Sequence, residues 1–327
     1  MEKKMTLEER MAALEAIVNG DSVKRDMIRK AKQYPKDYMN YLRYAEVTDS
    51  LKVGSDKEGG YLVPDEFETK LVTKLESKGV MRRLSNVIKT EHLLRIPGVS
   101  KNPTADWVEE GGKFPDTELE FYQVVIDAHK HGYITLVTEE LLEDAGFDIE
   151  KYIVDTAGDK IGELEEEAFI SGDGIHKPTG VLVDAPVGHE TPKLCLDDAL
   201  ELFYSVGQRY RNKGVWVMSE DALRILQKER SAMGRNIWEG DMTKELPLKL
   251  NGREVYVSDA MPDVEPGKCP VMFGDFSYYW IGDRSNRSIK RMGEVYSDKG
   301  MVGYRVTHRV DGKLVLPEAI KTLKIAS

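Results

Sequence analysis

Asp148–Leu182, DIEKYIVDTAGDKIGELEEEAFISGDGIHKPTGVL, decides how this chain is read. Its first half predicts one long helix. Asp148 suits an N-cap, because its carboxylate can accept from an unpaired backbone N–H two or three residues on. Ile149, Ile153, Val154, Ala157, Ile161, Leu164, Ala168 and Phe169 recur at near-helical spacing. About 22 residues at 1.5 Å each make a rod of roughly 33 Å. Gly172, Asp173, Gly174, Pro178 and Gly180 then stop it abruptly. Val181 onward reads as a short apolar strand. Glu163, Glu165, Glu166 and Glu167 are expected on the solvated face, as charged runs usually are. Gly158 and Gly162 lie four apart on one face. They form either a groove for a closely approaching backbone or simply tolerated glycines, at about 1 kcal/mol each relative to Ala.

Outward from this helix the chain is ordinary in composition. Its 327 residues are 41% hydrophobic and 32% charged, with a net charge of −10. That suits a folded chain of about two domains. No apolar run reaches the ~18 residues of a membrane span. Met1–Arg10 has no apolar core, so no secretory signal is expected. Cys195 and Cys269 make no CxxC pair and read as two buried thiols in a reducing compartment. The acidic balance excludes a chain-wide nucleic-acid-binding surface, which needs clustered Lys and Arg. It is compatible with an inner wall to which packed DNA does not adhere.

Residues 1–36 differ, with nine Lys/Arg against six Asp/Glu. Leu7, Met11, Leu14 and Val18 mark one face of a short helix, and Val23–Ala31 a second. They read as a pair of solvated helices. Thr48–Gly60 is a linker or arm. Asp65–Lys78 reads as a helix with Phe67, Leu71, Val72 and Leu75 on one face. Leu84–Ile96 and Gln123–Val137 are strand-like, and Gly98–Phe121 between them is long for a loop in a compact domain. Further on come a helix over Leu196–Tyr210, a strand at Val215–Met218, and a helix Ala222–Arg230 capped by Ser219. Strands follow at Glu254–Ser258, Pro270–Phe273 and Tyr278–Gly282. The chain from Arg287 is mostly strand, with turns at Gly293, Gly300 and Asp311-Gly312.

Catalytic patterns are absent: there is no GxxxxGK[ST], GxSxG or HExxH. Gly172-Asp173-Gly174 follows a helix instead of a strand and lacks a following Lys-Ser/Thr, so it is a poor phosphate cradle. His129 and His131 share one face of a strand, as two metal ligands would, but the sequence places no third ligand beside them. The plainer reading is a pair of exposed strand histidines. No catalytic, cofactor-binding or metal residue is therefore assigned.

The ordered set of motifs resembles the major capsid proteins of tailed bacteriophages, the Hong Kong 97-like family. The long helix ending in GDGxxxPxG resembles that family's spine helix. Gly59–Pro64 (GGYLVP) resembles the opening of its N-terminal arm, Ala105–Gly111 (ADWVEEG) its extended loop, and Glu139–Asp144 (EELLED) the run before the spine. Val215–Met218, Phe273–Phe276 and Pro317–Ala319 resemble its later landmarks. The resemblance covers roughly residues 50–327.

It implies an α+β Hong Kong 97-like fold. The implied divisions are a short scaffold-like helical segment (1–49), an N-terminal arm (50–80), a peripheral domain (81–97, 122–194 and 283–327), an extended loop (98–121) and an axial domain (195–282). It implies a structural, non-enzymatic subunit of pentamers and hexamers, building the icosahedral head of a tailed phage or prophage around double-stranded DNA. Binding to that DNA would not be sequence-specific. Assembly in the bacterial host cytoplasm, residence in the virion, no membrane, and a scaffolding protein, maturation protease and portal as further partners belong to the same expectation. Assembly contacts are expected at Trp107, Glu110, Lys113, Gly158, Gly162, Gly172, Gly174 and Pro178. Family members with a fused scaffold carry a long coiled coil at the N-terminus, and this chain has only two short segments there. Some members crosslink an extended-loop Lys to an Asn of a neighbour. Lys101, Lys113 and Asn286 would serve here, although lysine is also the default in a charged loop. An encapsulin-like compartment enclosing a cargo enzyme is the alternative on the same fold, and an unrecognised hydrolase using the helix carboxylates is the alternative from another class.

Overall fold

A computed structural model describes residues 33–48, 51, 61–99, 121–144, 146–228, 248–284 and 287–326. The chain divides into two compact units. One comprises Met1–Lys70, Ile134–Val154 and Arg287–Val306, and the other Leu71–Tyr133, Asp155–Asn286 and Thr307–Ser327.

In the first unit, residues 33–44 form helix α1. Tyr38, Tyr41 and Leu42 are its buried side, joined by Leu51. Tyr38 meets Phe67 edge-on at 6.1 Å between ring centroids. The Tyr304 hydroxyl donates to the Leu42 carbonyl at 2.6 Å, and the Tyr41 hydroxyl accepts from the Arg291 N–H at 2.9 Å. The basic N-terminal segment expected to end at residue 36 therefore overlaps a helix that belongs to a core. Strand β1 (Tyr61–Leu62) pairs antiparallel with β12 (Ser288–Met292), which lies next to β13 (Met301–Leu314). Glu68, on α2 (Asp65–Lys78), forms a buried ion pair with Arg287. Strand β5 (His129–Thr138) leads into α4 (Glu139–Glu143), where the Thr138 hydroxyl accepts from the Leu141 N–H. Helix α5 (Ile149–Ser171) begins as the sequence requires, with the Asp148 carboxylate accepting from the Lys151 N–H at 3.1 Å.

The second unit holds a mixed six-stranded sheet. Its order is β6 (Val187–Thr191), β14 (Ile320–Ile325), β10 (Val271–Gly274), β7 (Val215–Met218), β9 (Arg253–Val257) and β8 (Lys249–Leu250). Trp216 and Phe273 from neighbouring strands pack 4.4 Å apart at its centre, and the Trp216 indole N–H donates to the Leu250 carbonyl. Leu202 of α7 (Leu196–Ser205) and Leu226 of α9 (Glu220–Lys228) belong to the same apolar cluster. Ser219 caps α9, its hydroxyl accepting from the Ala222 N–H. The single helix expected over Leu196–Tyr210 is two, because the chain turns extended at Val206 and Gly207 before α8 (Gln208–Arg211).

A second set of strands in this unit sets β11 (Tyr279–Arg284) antiparallel to β13 and parallel to β2 (Asn86–Thr90). The turn expected at Asp311-Gly312 is absent: both residues lie inside the β13 ladder, opposite Gly282 and Ile281. Asp311 turns its acceptors onto the backbone there, taking the Gly312 and Asp127 N–H groups at 2.8 Å each. Gly312 is needed because a Cβ would sit 2.5 Å from the Tyr279 hydroxyl. Ahead of β2, residues from Val80 to Leu84 form α3, where strand was expected to begin at Leu84. Strands β3 (Leu94–Val99) and β4 (Phe121–Ile126) pair antiparallel from Leu94–Ile126 to Val99–Phe121, a two-stranded stem. Beyond that stem, residues 100–120 lie outside the described residues. Among the described residues no helix is long and apolar enough to cross a membrane.

Candidate functional site

The C-terminal end of α5 is a built turn. The Gly172 N–H still bonds the Ala168 carbonyl, as in a helix, and the Gly172 carbonyl already accepts from the Gly180 N–H at 2.8 Å. Between them Asp173 bridges to Thr179, and the Asp173 carboxylate accepts from the Ile175 N–H at 3.0 Å. Gly174 takes φ +76°, which favours glycine. A Cβ on Gly172 would sit inside contact of the Pro178 and Ala168 carbonyl oxygens. The Thr179 N–H reaches the Gly312 carbonyl of β13. Gly172, Gly174 and Pro178 thus act together in folding the chain back beneath the helix end. The turn leads into a single helical turn, α6 (Val181–Asp184), where a short strand was expected. Three apolar residues in a row are too few for periodicity to separate the two.

One turn back from that end, the helix departs from its expected faces. Glu165 and Glu166 are buried and Leu164 is 47% exposed, so the four glutamates do not share a solvated face. Glu163 and Glu167 do face solvent. The Arg82 Nε–H donates to Glu165 at 2.6 Å, and its two terminal nitrogens donate to both oxygens of Asp283 at 2.8 and 3.0 Å. Burial pushes the Glu165 carboxyl up, but the Arg82 guanidinium, then the His131 and His308 imidazoles, outweigh it and hold it well below the usual carboxylate range. Burial also acts against the charge on Arg82, and its two carboxylates more than restore it. Glu166 accepts from the Met81 N–H at 3.0 Å and the Ser258 hydroxyl at 2.9 Å. Its carboxyl is raised, because burial exceeds what those donors give back. Both buried carboxylates that a hydrolase would have used are thus occupied in holding α3, β11 and the residue after β9 against α5.

The histidines also part company. His129 lies 3.6 Å from the Asp311 carboxylate. His131, expected to be exposed, turns inward to within 3.1 Å of Glu165, and His308 of β13 lies 3.6 Å from the same oxygen. His131, Glu165 and His308 each offer one ligand atom, all within 4.8 Å of one another. Of the two histidines paired by sequence only His131 joins this group; Glu165 and His308 come from other elements, and His308 carries no local signal of it.

Gly158 and Gly162 face α2 of the same chain. A Cβ on Gly158 would run into the Lys74 stem, and one on Gly162 would meet Lys78 Cβ at 3.4 Å. Lys74–Asp155 and Lys78–Asp159 ion pairs at 3.0 Å flank them. Trp107, Glu110 and Lys113 lie outside the described residues, as do Lys101 and Asn286. Cys195 and Cys269 are free thiols, each half-buried.

A spine helix closed by a strand-bound glycine turn, a two-stranded stem before it and a six-stranded sheet after it define a Hong Kong 97-like capsid fold. The phage capsid family model matches residues 59–325, and the chain belongs to that family. The capsid of a native GTA particle, solved with C5 symmetry, superposes with a TM-score of 0.67 at 26% identity, covering 76% of this chain and 91% of that one. The major capsid protein of Klebsiella oxytoca phage phiKO2 is 22% identical over 250 residues, 71% of this chain. This chain spans 57% of that relative's length. The holo-SrpI encapsulin complex of Synechococcus elongatus PCC 7942 shares the fold at a TM-score of 0.55 and 14% identity, over 76% of this chain and 87% of that one. Over the matched residues the chain has the fold of a shell-forming structural protein.

Proposed function

We propose that this chain is the repeating subunit of the icosahedral head shell of a tailed phage or prophage, enclosing double-stranded DNA without sequence-specific contacts. The observation that carries this is the match to the GTA capsid across 91% of that chain at 26% identity. Rings of five and six subunits are what the family resemblance implies, and repeated heterologous contacts that close would form them. In this reading the arm, the extended loop and the spine reach neighbouring subunits. Trp107, Glu110 and Lys113 act from the loop, and Gly172, Gly174 and Pro178 shape the spine's end. Gly158 and Gly162 act by letting α2 pack closely on α5. A scaffolding protein, a maturation protease and a portal would complete assembly in the host cytoplasm. An encapsulin-like compartment shares the fold, but the family match and the higher identity favour the phage shell.

The test is assembly itself. Purified protein at micromolar concentration should sediment as capsomers or shells, with rings or closed particles by electron microscopy. A subunit that stays monomeric at every salt and pH tried would overturn the reading. Trp107→Ala should keep the circular dichroism spectrum and reduce shell yield, since a buried aromatic anchor contributes about 2 kcal/mol or more to an interface. Normal shells from that variant would remove Trp107 from the contact set.

A further inference from the structure

His131 of β5, Glu165 of α5 and His308 of β13 converge from three elements of one unit. Their ligand atoms, one from each, lie within 4.8 Å of one another. Two edges of that triangle, both to the same Glu165 oxygen, are 3.1 and 3.6 Å. Tetrahedral ligands at zinc bond lengths of about 2.0–2.1 Å stand roughly 3.4 Å apart, so the triangle has the right size. The imidazole planes are perpendicular, with centroids 5.4 Å apart, which lets both rings aim a nitrogen at one point without stacking. The side chains are 13%, 2% and 0% exposed in chain order.

The hydrogen bonding makes the same case. Arg82 is shared between two buried carboxylates, Glu165 and Asp283. Arg82 binds one oxygen of Glu165, and the other oxygen is the one facing both histidines. That second oxygen and His131 Nε2 are buried and lie 3.1 Å apart, but among the described residues neither makes a well-angled hydrogen bond. Buried polar atoms in a native fold normally have well-formed partners, and a shared ligand would give both atoms a good bond in place of this poorly angled one. A cavity of about 260 Å³ opens onto His131 and Glu165, with room for water as a fourth ligand.

We propose that His131, Glu165 and His308 form a binding site for one borderline-soft divalent transition ion of the Zn²⁺ class per subunit. Two imidazoles and a carboxylate are a donor set that suits zinc and disfavours Mg²⁺ and Ca²⁺, which take oxygen cages. The ion would tie β5, β13 and the spine together, as structural metals do.

The probe is Co²⁺, added to full-length protein stripped with a chelator and dialysed. The expected result is uptake of one Co²⁺ per subunit with the visible absorption bands of a four-coordinate ion. With free ion 100-fold above Kd, the Tm should rise by roughly 4 °C. His131→Ala should lose at least ten-fold in affinity, and His129→Ala, whose ring faces Asp311, should bind as the parent does. Failure of the folded parent to take up stoichiometric Co²⁺ would overturn the site, as would unchanged affinity in His131→Ala or equal loss in His129→Ala. If His131→Ala does not fold, X-ray absorption on the Co²⁺-loaded parent decides. Scattering from two imidazoles supports the site, and its absence refutes it.

Discussion

Arg82 is the residue whose loss should be felt most. Its guanidinium satisfies two carboxylates that are almost wholly out of solvent. Removing one partner of a buried ion cluster leaves uncompensated charge, which costs about 3–5 kcal/mol. Arg82→Met keeps most of the volume and removes the charge, so urea unfolding should show a loss of that size with an unchanged m-value. A loss under about 1 kcal/mol, the range of a solvent-exposed pair, would mean that water reaches the cluster. Gly172 is the second sensitive position. Gly172→Ala forces a methyl against two carbonyl oxygens of the backbone, which have less freedom to move than a side chain. Overpacking of this kind costs about 1–3 kcal/mol. The Tm should fall accordingly, and Gly158→Ala, whose methyl would run into Lys74 Cγ and meet its Cβ at 3.0 Å beside the α2 backbone, should lower it as well.

At the scale of elements, α1 marks a part of the N-terminal region that belongs to a core. Tyr34 stacks on Tyr38, Gln33 donates to Asp37, and Asp37 also accepts from the Thr48 hydroxyl. The same helix buries Tyr38, Tyr41 and Leu42. Deleting residues 2–32 should leave the Tm within a degree or two. Deleting 2–44 removes three core side chains and should give insoluble or unfolded protein, read by circular dichroism and solubility. Equal behaviour of the two truncations would show that α1 contributes nothing to the fold. Helix α5 shows why element identity and element facing are separate questions. Its cap, length and stop are local and legible in the sequence, but the side it presents at residues 164–166 differs from the expected one. Ile149, Ile153, Ala157, Ile161, Glu165 and Phe169 succeed one another at i, i+4. A row at that spacing winds slowly around a helix. Glu165 sits in this otherwise apolar row, which is the one sequence signal of its burial.

For the whole molecule, the shell is where the stability of the subunit is put to use. A capsid fold gives much of its surface to neighbours, so subunit stability and assembly are separable. The Arg82 and Gly172 substitutions act within one unit of the subunit, and Trp107 is proposed to act between subunits. Calorimetry of capsomers together with electron microscopy of their products should therefore sort them into two groups. Arg82→Met and Gly172→Ala should lower the melting temperature, and Trp107→Ala should lower only the yield of closed particles.

Elements whose signals fit within one or two turns of chain were legible before folding. These are the Asp148 cap, the glycine stop after Ser171, the helix Asp65–Lys78, the Ser219 cap, and the ordered landmarks that carry the family resemblance. Tertiary structure alone decided three things. Asp311-Gly312, a turn by local chemistry, became strand because β11 supplies a ladder partner and Tyr279 occupies the space over the glycine. Val181–Asp184 became a helical turn because Gly180 is bonded to Gly172. Glu165 was drawn into the interior because Arg82, His131 and His308 meet it there from distant parts of the chain. Local patterns record backbone preference and average polarity. The burial of a charge depends on whether its partners arrive, and that information is spread over segments that become neighbours only when the chain is folded.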